Sequence, residues 1–98
     1  AVINACAEVG EGCIVNTGAV VEHDCLMGNF AHVSPNAVLA GGVKVGPLAW
    51  VGGCAAVRQL IEVGEGVVVG MGAVVTKDVP PGVTVVGNPA KVFEPRRS

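Results

Sequence analysis

Residues 15–45 read VNTGAV VEHDCL MGNFAH VSPNAV LAGGVK V, and every sixth position is aliphatic or Met. Extended in both directions, the same slot holds Ile3, Val9, Val15, Val21, Met27, Val33, Leu39, Val45, Val51, Val57, Val63, Val69 and Val75, thirteen consecutive sixes without an insertion. A fixed short period of this kind is the signature of a solenoid. The residue two before each of these is small in most repeats: Ala7, Cys13, Ala19, Cys25, Ala31, Ala37, Ala49, Ala55 and Ala73, with Val43, Ile61, Val67 and Val79 as larger exceptions. Three residues after it stands a turn former in most repeats, among them Gly12, Gly18, Asp24, Asn36, Gly42, Gly66, Gly72 and Asp78, types that tolerate positive φ.

Side chains alternate along a strand, so the aliphatic residue and the small one two before it share an inward face. Six residues make one short strand and one corner. Three such sides close a triangular coil of 18 residues. The predicted fold is therefore all-β: a parallel β-helix, a triangular prism of a little over four coils. We expect the β-helix over residues 1–82, ended by Pro80-Pro81-Gly82, and a C-terminal extension over 83–98 in which Arg96 and Arg97 fray. The general rule for parallel crossovers favours a right-handed winding.

Composition agrees with strands and turns. Hydrophobic residues make up 51% of the 98, yet aromatics are 3%, and 15 residues are Gly. A net charge of -2 supplies no basic footprint for nucleic acid or an anionic membrane. No apolar run approaches the ~18–20 residues of a spanning helix, and no signal-peptide pattern is found in these residues. The four cysteines, Cys6, Cys13, Cys25 and Cys54, form no C-x-x-C pair, and with two histidines they complete no zinc spacing, so no metal site is expected. Reduced thiols suit a cytoplasmic protein. Ala1 already lies inside the repeat, so an upstream segment is expected.

Stacking by eighteens predicts which residues lie above one another. One outward column runs Ile14, His32, Trp50, Val68, setting His32 on the only Trp. A corner column runs Ala5, His23, Gly41, Gln59, Lys77, and another runs Thr17, Pro35, Gly53, Met71. The outward apolar residues Ile14, Val20, Leu26, Val38, Trp50, Val68 and Val74 fall on such columns, which predicts packing against further copies, as a cyclic trimer of parallel prisms. Scattered surface valines are the alternative.

Both histidines sit in residues 15–45, within Asn16-Thr17-Gly18-Ala19, Glu22-His23-Asp24-Cys25, Phe30-Ala31-His32-Val33-Ser34 and Leu39-Ala40-Gly41-Gly42. With the ending Val86-Gly87-Asn88-Pro89-Ala90-Lys91, these motifs resemble the hexapeptide-repeat acetyltransferases. The resemblance is strongest to the group of sialic acid O-acetyltransferases and bacillosamine N-acetyltransferases. It implies a left-handed winding. It also implies acetyl transfer from acetyl-CoA to an amine or hydroxyl of a sugar, in a homotrimer with sites between subunits. By the same resemblance an N-terminal nucleotide-fold domain that binds the acceptor in this group is absent from these residues.

His23 matches the group's general base and Asp24 its acidic partner. An imidazole with an unperturbed pKa of about 6.5 can take the proton that an amine or hydroxyl loses as it attacks a thioester. The bland readings are a solvated corner residue for His23 and a positive-φ corner residue for Asp24. His32 matches the second histidine, beside the acetyl end of the cofactor, where it could donate a hydrogen bond to the thioester carbonyl; its alternative is an interface residue packed on Trp50. Cofactor contacts carry over to Gly41, Gly53 and Met71, the last standing where a small residue is more usual. Asn16 is a candidate for orienting His23 or the acceptor, or a strand-edge polar residue. Lys91, Arg96 and Arg97 are candidate phosphate contacts or solvated charges. Two other functions compete: a trimeric scaffold without activity, and a γ-type carbonic anhydrase, whose three-histidine zinc shell two histidines do not complete.

Overall fold

The computed structural model describes residues 1–93. The chain winds into a prism of about 46 × 22 × 22 Å whose three faces are parallel sheets. The first face stacks Val2–Ile3, Val20–Val21, Val38–Leu39, Ala56–Val57 and Val74–Val75; the second stacks Glu8–Val9, Leu26–Met27, Lys44–Val45 and Glu62–Val63. The third stacks Ile14–Val15, His32–Val33, Trp50–Val51, Val68–Val69 and Thr84–Val86, with Lys91–Val92 added antiparallel at its end. Registers such as Val20↔Val38 and His32↔Trp50 confirm the coil of 18 residues. Among the described residues there is no helix, hence none long and apolar enough to cross a membrane.

Two-residue strands hold because interior strands are paired above and below, and because the aliphatic slot and the small slot fill the interior. Val21, Val33, Leu39, Val51, Val57, Val63, Val69, Ala19, Ala31, Ala37 and Ala55 are all essentially inaccessible. Each larger apolar side chain removed from water contributes ~1.5–3 kcal/mol before chain entropy is subtracted. The first layer departs from this: Ile3 and Val9 occupy the inward slot but are exposed, since the layer has a neighbour on one side only.

The corners are uniform. The residue three after the aliphatic slot has positive φ in each of the first twelve repeats, from Cys6 to Gly72. Five of these, Cys6, Phe30, Leu48, Cys54 and Leu60, are not turn formers by type, yet adopt φ of 58–63°. Side chains other than Gly, Asn or Asp there cost ~1–2 kcal/mol each by local sterics. The winding overrides that preference.

The winding does not end at Val79-Pro80-Pro81-Gly82. It continues with the perimeter shortened by two residues: Val79, not residue 81, bridges to Val63, and Thr84 pairs with Val68. Val79 and Val85 then fill the inward slot, and Gly82 takes the positive-φ corner. The shortening leaves one main-chain donor without its usual carbonyl. The Glu62 N–H, in the place where Lys44 N–H donates to Ile61, donates instead to Asp78 Oδ1 at 2.8 Å. After a cis Asn88-Pro89 bond, Ala90 N–H donates to the Val74 carbonyl, and the Gly87 carbonyl accepts from Val74, closing the top of the first face.

Candidate active site

His23 and Asp24 occupy a corner between the first and second faces. The main chain pins them from both sides: Asp24 N–H donates to the Ala5 carbonyl below, and the His23 carbonyl accepts from Gly42 N–H above. Asp24 has φ 62°, which turns its carboxylate back toward the preceding ring, and Oδ2 lies 3.2 Å from His23 Nδ1. Nε2 is thereby left as the free nitrogen. Both side chains are mostly exposed, so the pair orients the ring more than it stabilises the fold.

The imidazole rises toward Gly41 in the next coil. A Cβ on Gly41 would stand 3.0 Å from Cε1 and 3.2 Å from Nε2. Leu60 descends from the coil above: a Cβ on Gly42 would meet Leu60 Cδ2 at 2.7 Å. The two glycines thus floor a notch of about 300 Å³, walled by His23 and Asp24 on one side and by Gln59 and Leu60 on the other.

A second groove, of about 560 Å³, lies at the corner between the third and first faces and is lined mostly by apolar atoms of Pro35, Trp50, Gly53, Val68 and Met71. That volume suits an organic ligand. Around Gly53 the backbone is open: a Cβ there would come no closer than 3.6 Å to the Pro35 carbonyl oxygen and 3.9 Å to Met71 Cγ. Trp50 at the edge of this groove carries the His32 ring, with ring centroids 4.7 Å apart and planes inclined by 21°. A larger depression, about 730 Å³, runs along the second face past Lys44, Glu62, Glu65 and Pro81 and contains none of the candidate catalytic, cofactor or acceptor residues.

The structure therefore gathers the predicted residues into two sets. His23, Asp24 and Gly41 share one corner; Gly53 and Met71 share another, with His32 and Trp50 on the adjoining third face. Asn16 joins neither interaction: its Nδ2 donates to the Val33 carbonyl at 3.3 Å, not to His23. Gln59 and Leu60 also line the notch, two coils (36 residues) above His23 and Asp24, and no sequence motif marks them. Lys91 lies in the last strand and is exposed, whereas Arg96 and Arg97 lie outside the described residues. Among the described residues, no group of three or more His, Cys, Asp or Glu converges to hold a metal ion.

No protein-family model matches the chain. Solved structures do. The chain is 36% identical to PerB from Caulobacter crescentus, determined in complex with CoA and GDP-perosamine, with a TM-score of 0.86 over 95% of this chain and 54% of that one. It is 37% identical to the acetyltransferase domain of PglB from Neisseria gonorrhoeae in complex with acetyl coenzyme A, with a TM-score of 0.82 over 94% of this chain and 54% of that one. Of curated proteins, serine acetyltransferase from Buchnera aphidicola is 62% identical over 34 residues, 35% of this chain and 13% of that protein. The chain thus spans about half the length of each of these two solved structures.

Proposed function

From the similarity of this chain to the C-terminal repeat region of hexapeptide-repeat acetyltransferases, and with it the left-handed parallel β-helix, we propose that it is the catalytic repeat region of an acetyl-CoA-dependent acetyltransferase acting on an amine or hydroxyl of a sugar. The observation that carries the proposal is the His23–Asp24 pair, with Nδ1 held by a carboxylate and Nε2 free above the Gly41–Gly42 floor. Held this way, Nε2 accepts the proton from an acceptor N–H or O–H while Asp24 offsets the charge arising on the ring. Bound acetyl-CoA would supply the electrophilic thioester carbonyl and a thiolate leaving group, which would take up the abstracted proton as the free thiol. Trp50, Gly53 and Met71 offer the apolar groove and open backbone that a pantetheine arm would fit, and His32, stacked on Trp50 at the edge of that groove, is the candidate donor to the thioester carbonyl.

The two sets of residues lie at different corners of a prism 22 Å across. They complete one site only where a corner of one copy meets a different corner of the next, as in a cyclic trimer. The exposed outward residues Ile14, Leu26, Trp50 and Val68 support such packing. Four free thiols suit the cytoplasm.

Thioester release from acetyl-CoA, measured with amino sugars, sialic acids and L-serine as acceptors, tests the proposal. His23→Ala is expected to lower turnover by ~10²–10⁴. Equal turnover by His23→Ala would remove His23 from the mechanism, and no release with any acceptor would leave a scaffold.

A further inference from the structure

Leu60 is an apolar side chain in a costly place. It has φ 61°, a conformation easier for Gly, Asn or Asp, and it is 78% exposed, so burial within the chain does not offset the strain. Its side chain does not point away from the molecule. It folds back one coil onto Gly42, filling space that a Cβ on Gly42 would contest, and ends over the notch that holds His23. The other bulky residues in this conformation stand elsewhere: Phe30 and Leu48 line the corner between the second and third faces. No cationic side chain lines the notch, and its one carboxylate is Asp24.

We propose that Leu60 is a specificity-determining residue that meets the non-reacting part of the acceptor next to its nucleophile. The inference rests on the function proposed above and narrows its substrate class. The group deprotonated by His23 must be flanked by apolar surface, such as a ring C–H face or a methyl group. A free amino acid fits poorly. Its carboxylate carbon, three bonds from the reacting hydroxyl oxygen in serine, would bring a charge that loses water against the Leu60 methyls and is repelled by Asp24. Leu60 thereby favours a sugar acceptor over serine, with Gln59 supplying one amide at the rim.

The test compares the full chain with Leu60→Gly and Leu60→Asn, both of which accept positive φ and keep the corner. With GDP-perosamine as acceptor probe, KM for the acceptor is expected to rise about tenfold in both variants, within the range for losing a few apolar contacts, while KM for acetyl-CoA stays the same. The preference for GDP-perosamine over L-serine should shrink by the same factor. Independently of turnover, the δ-methyl groups of Leu60, labelled with 13C, should show magnetisation transfer to sugar protons of GDP-perosamine. Unchanged acceptor KM in both variants overturns the proposal. So does magnetisation transfer from Leu60 only to a second copy of the chain, or to no molecule at all. Failure of the broader functional reading is read separately, as turnover indifferent to His23→Ala.

Discussion

The ring of His32 lies on the indole of Trp50, one coil away, with centroids 4.7 Å apart and planes 21° from parallel. Main-chain register fixes the contact, because His32 and Trp50 are direct partners in the third-face ladder. The stack restricts rotation of the imidazole and so sets the direction of its ring nitrogens.

An aromatic pair of this kind contributes ~0.5–1.5 kcal/mol beyond its buried area. Trp50→Phe should therefore retain most acetyl transfer, while Trp50→Leu should lower kcat/KM for acetyl-CoA by about fivefold or more. Equal values for the two variants would show that the stack does not orient His32. Because Trp50 is the only Trp, His32→Leu should also change the protein's indole fluorescence, and an unaltered spectrum would mean the rings are apart in solution.

Gly41→Ala should separate fold from chemistry. Gly41 does not have positive φ, so alanine is allowed by the backbone, but its Cβ would press on the His23 ring at 3.0 Å. The ring must tilt by a few tenths of an ångström. We expect an unchanged denaturation midpoint and a rate loss of about tenfold, since small misplacements of a reacting group are costly. A rate equal to wild type would place the reacting atoms away from the notch.

Leu39→Ala should be the opposite case. Among the described residues Leu39 is the largest fully buried side chain, on the inside of the first face and lining neither groove. Its truncation is expected to destabilise by ~2–5 kcal/mol, read as a lower urea midpoint, with KM values unchanged in the folded protein. A midpoint within error of wild type would mean the interior is loosely filled.

The cysteines differ in access. Burial pushes the Cys25 thiol above its ordinary pKa, with backbone hydrogen bonds at Val43 and Gly42 pulling the other way, and Sγ donates to the Ala40 carbonyl at 3.1 Å. The thiolate is the reactive form. Brief alkylation at neutral pH, counted by mass spectrometry, should therefore modify the exposed Cys6 and Cys54 and spare Cys25 until the protein unfolds. Acetyl-CoA should slow modification of Cys54, which borders the Trp50 groove. Equal labelling with and without acetyl-CoA would argue against that groove as the cofactor site.

The sixfold slot and its small companion carried the coil, the inward columns and the contact between His32 and Trp50, because each follows from alternation and a constant perimeter. Two features escape such a pattern for physical reasons. Val79 is apolar and fits the small slot or the aliphatic slot equally well, so the shortening before Pro80 leaves no mark in hydropathy; its mark is Asp78, whose carboxylate substitutes for a carbonyl. Leu60 stands where a turn former is expected, and the direction of its side chain depends on the backbone conformation of its corner and on the room left by Gly42. Asn16, a polar residue in a matching motif, donates its side-chain N–H to the Val33 carbonyl of the neighbouring strand, as the strand-edge reading has it.

The shortened side between Val75 and Val79 implies a parity rule for altering such a spiral. Removing two residues leaves every later valine on the side it occupied before, whereas removing one would turn the remaining strands inside out. Engineered trims at the other corners should therefore be tolerated in even steps, provided a short acidic or amide side chain is at hand to answer the stranded N–H.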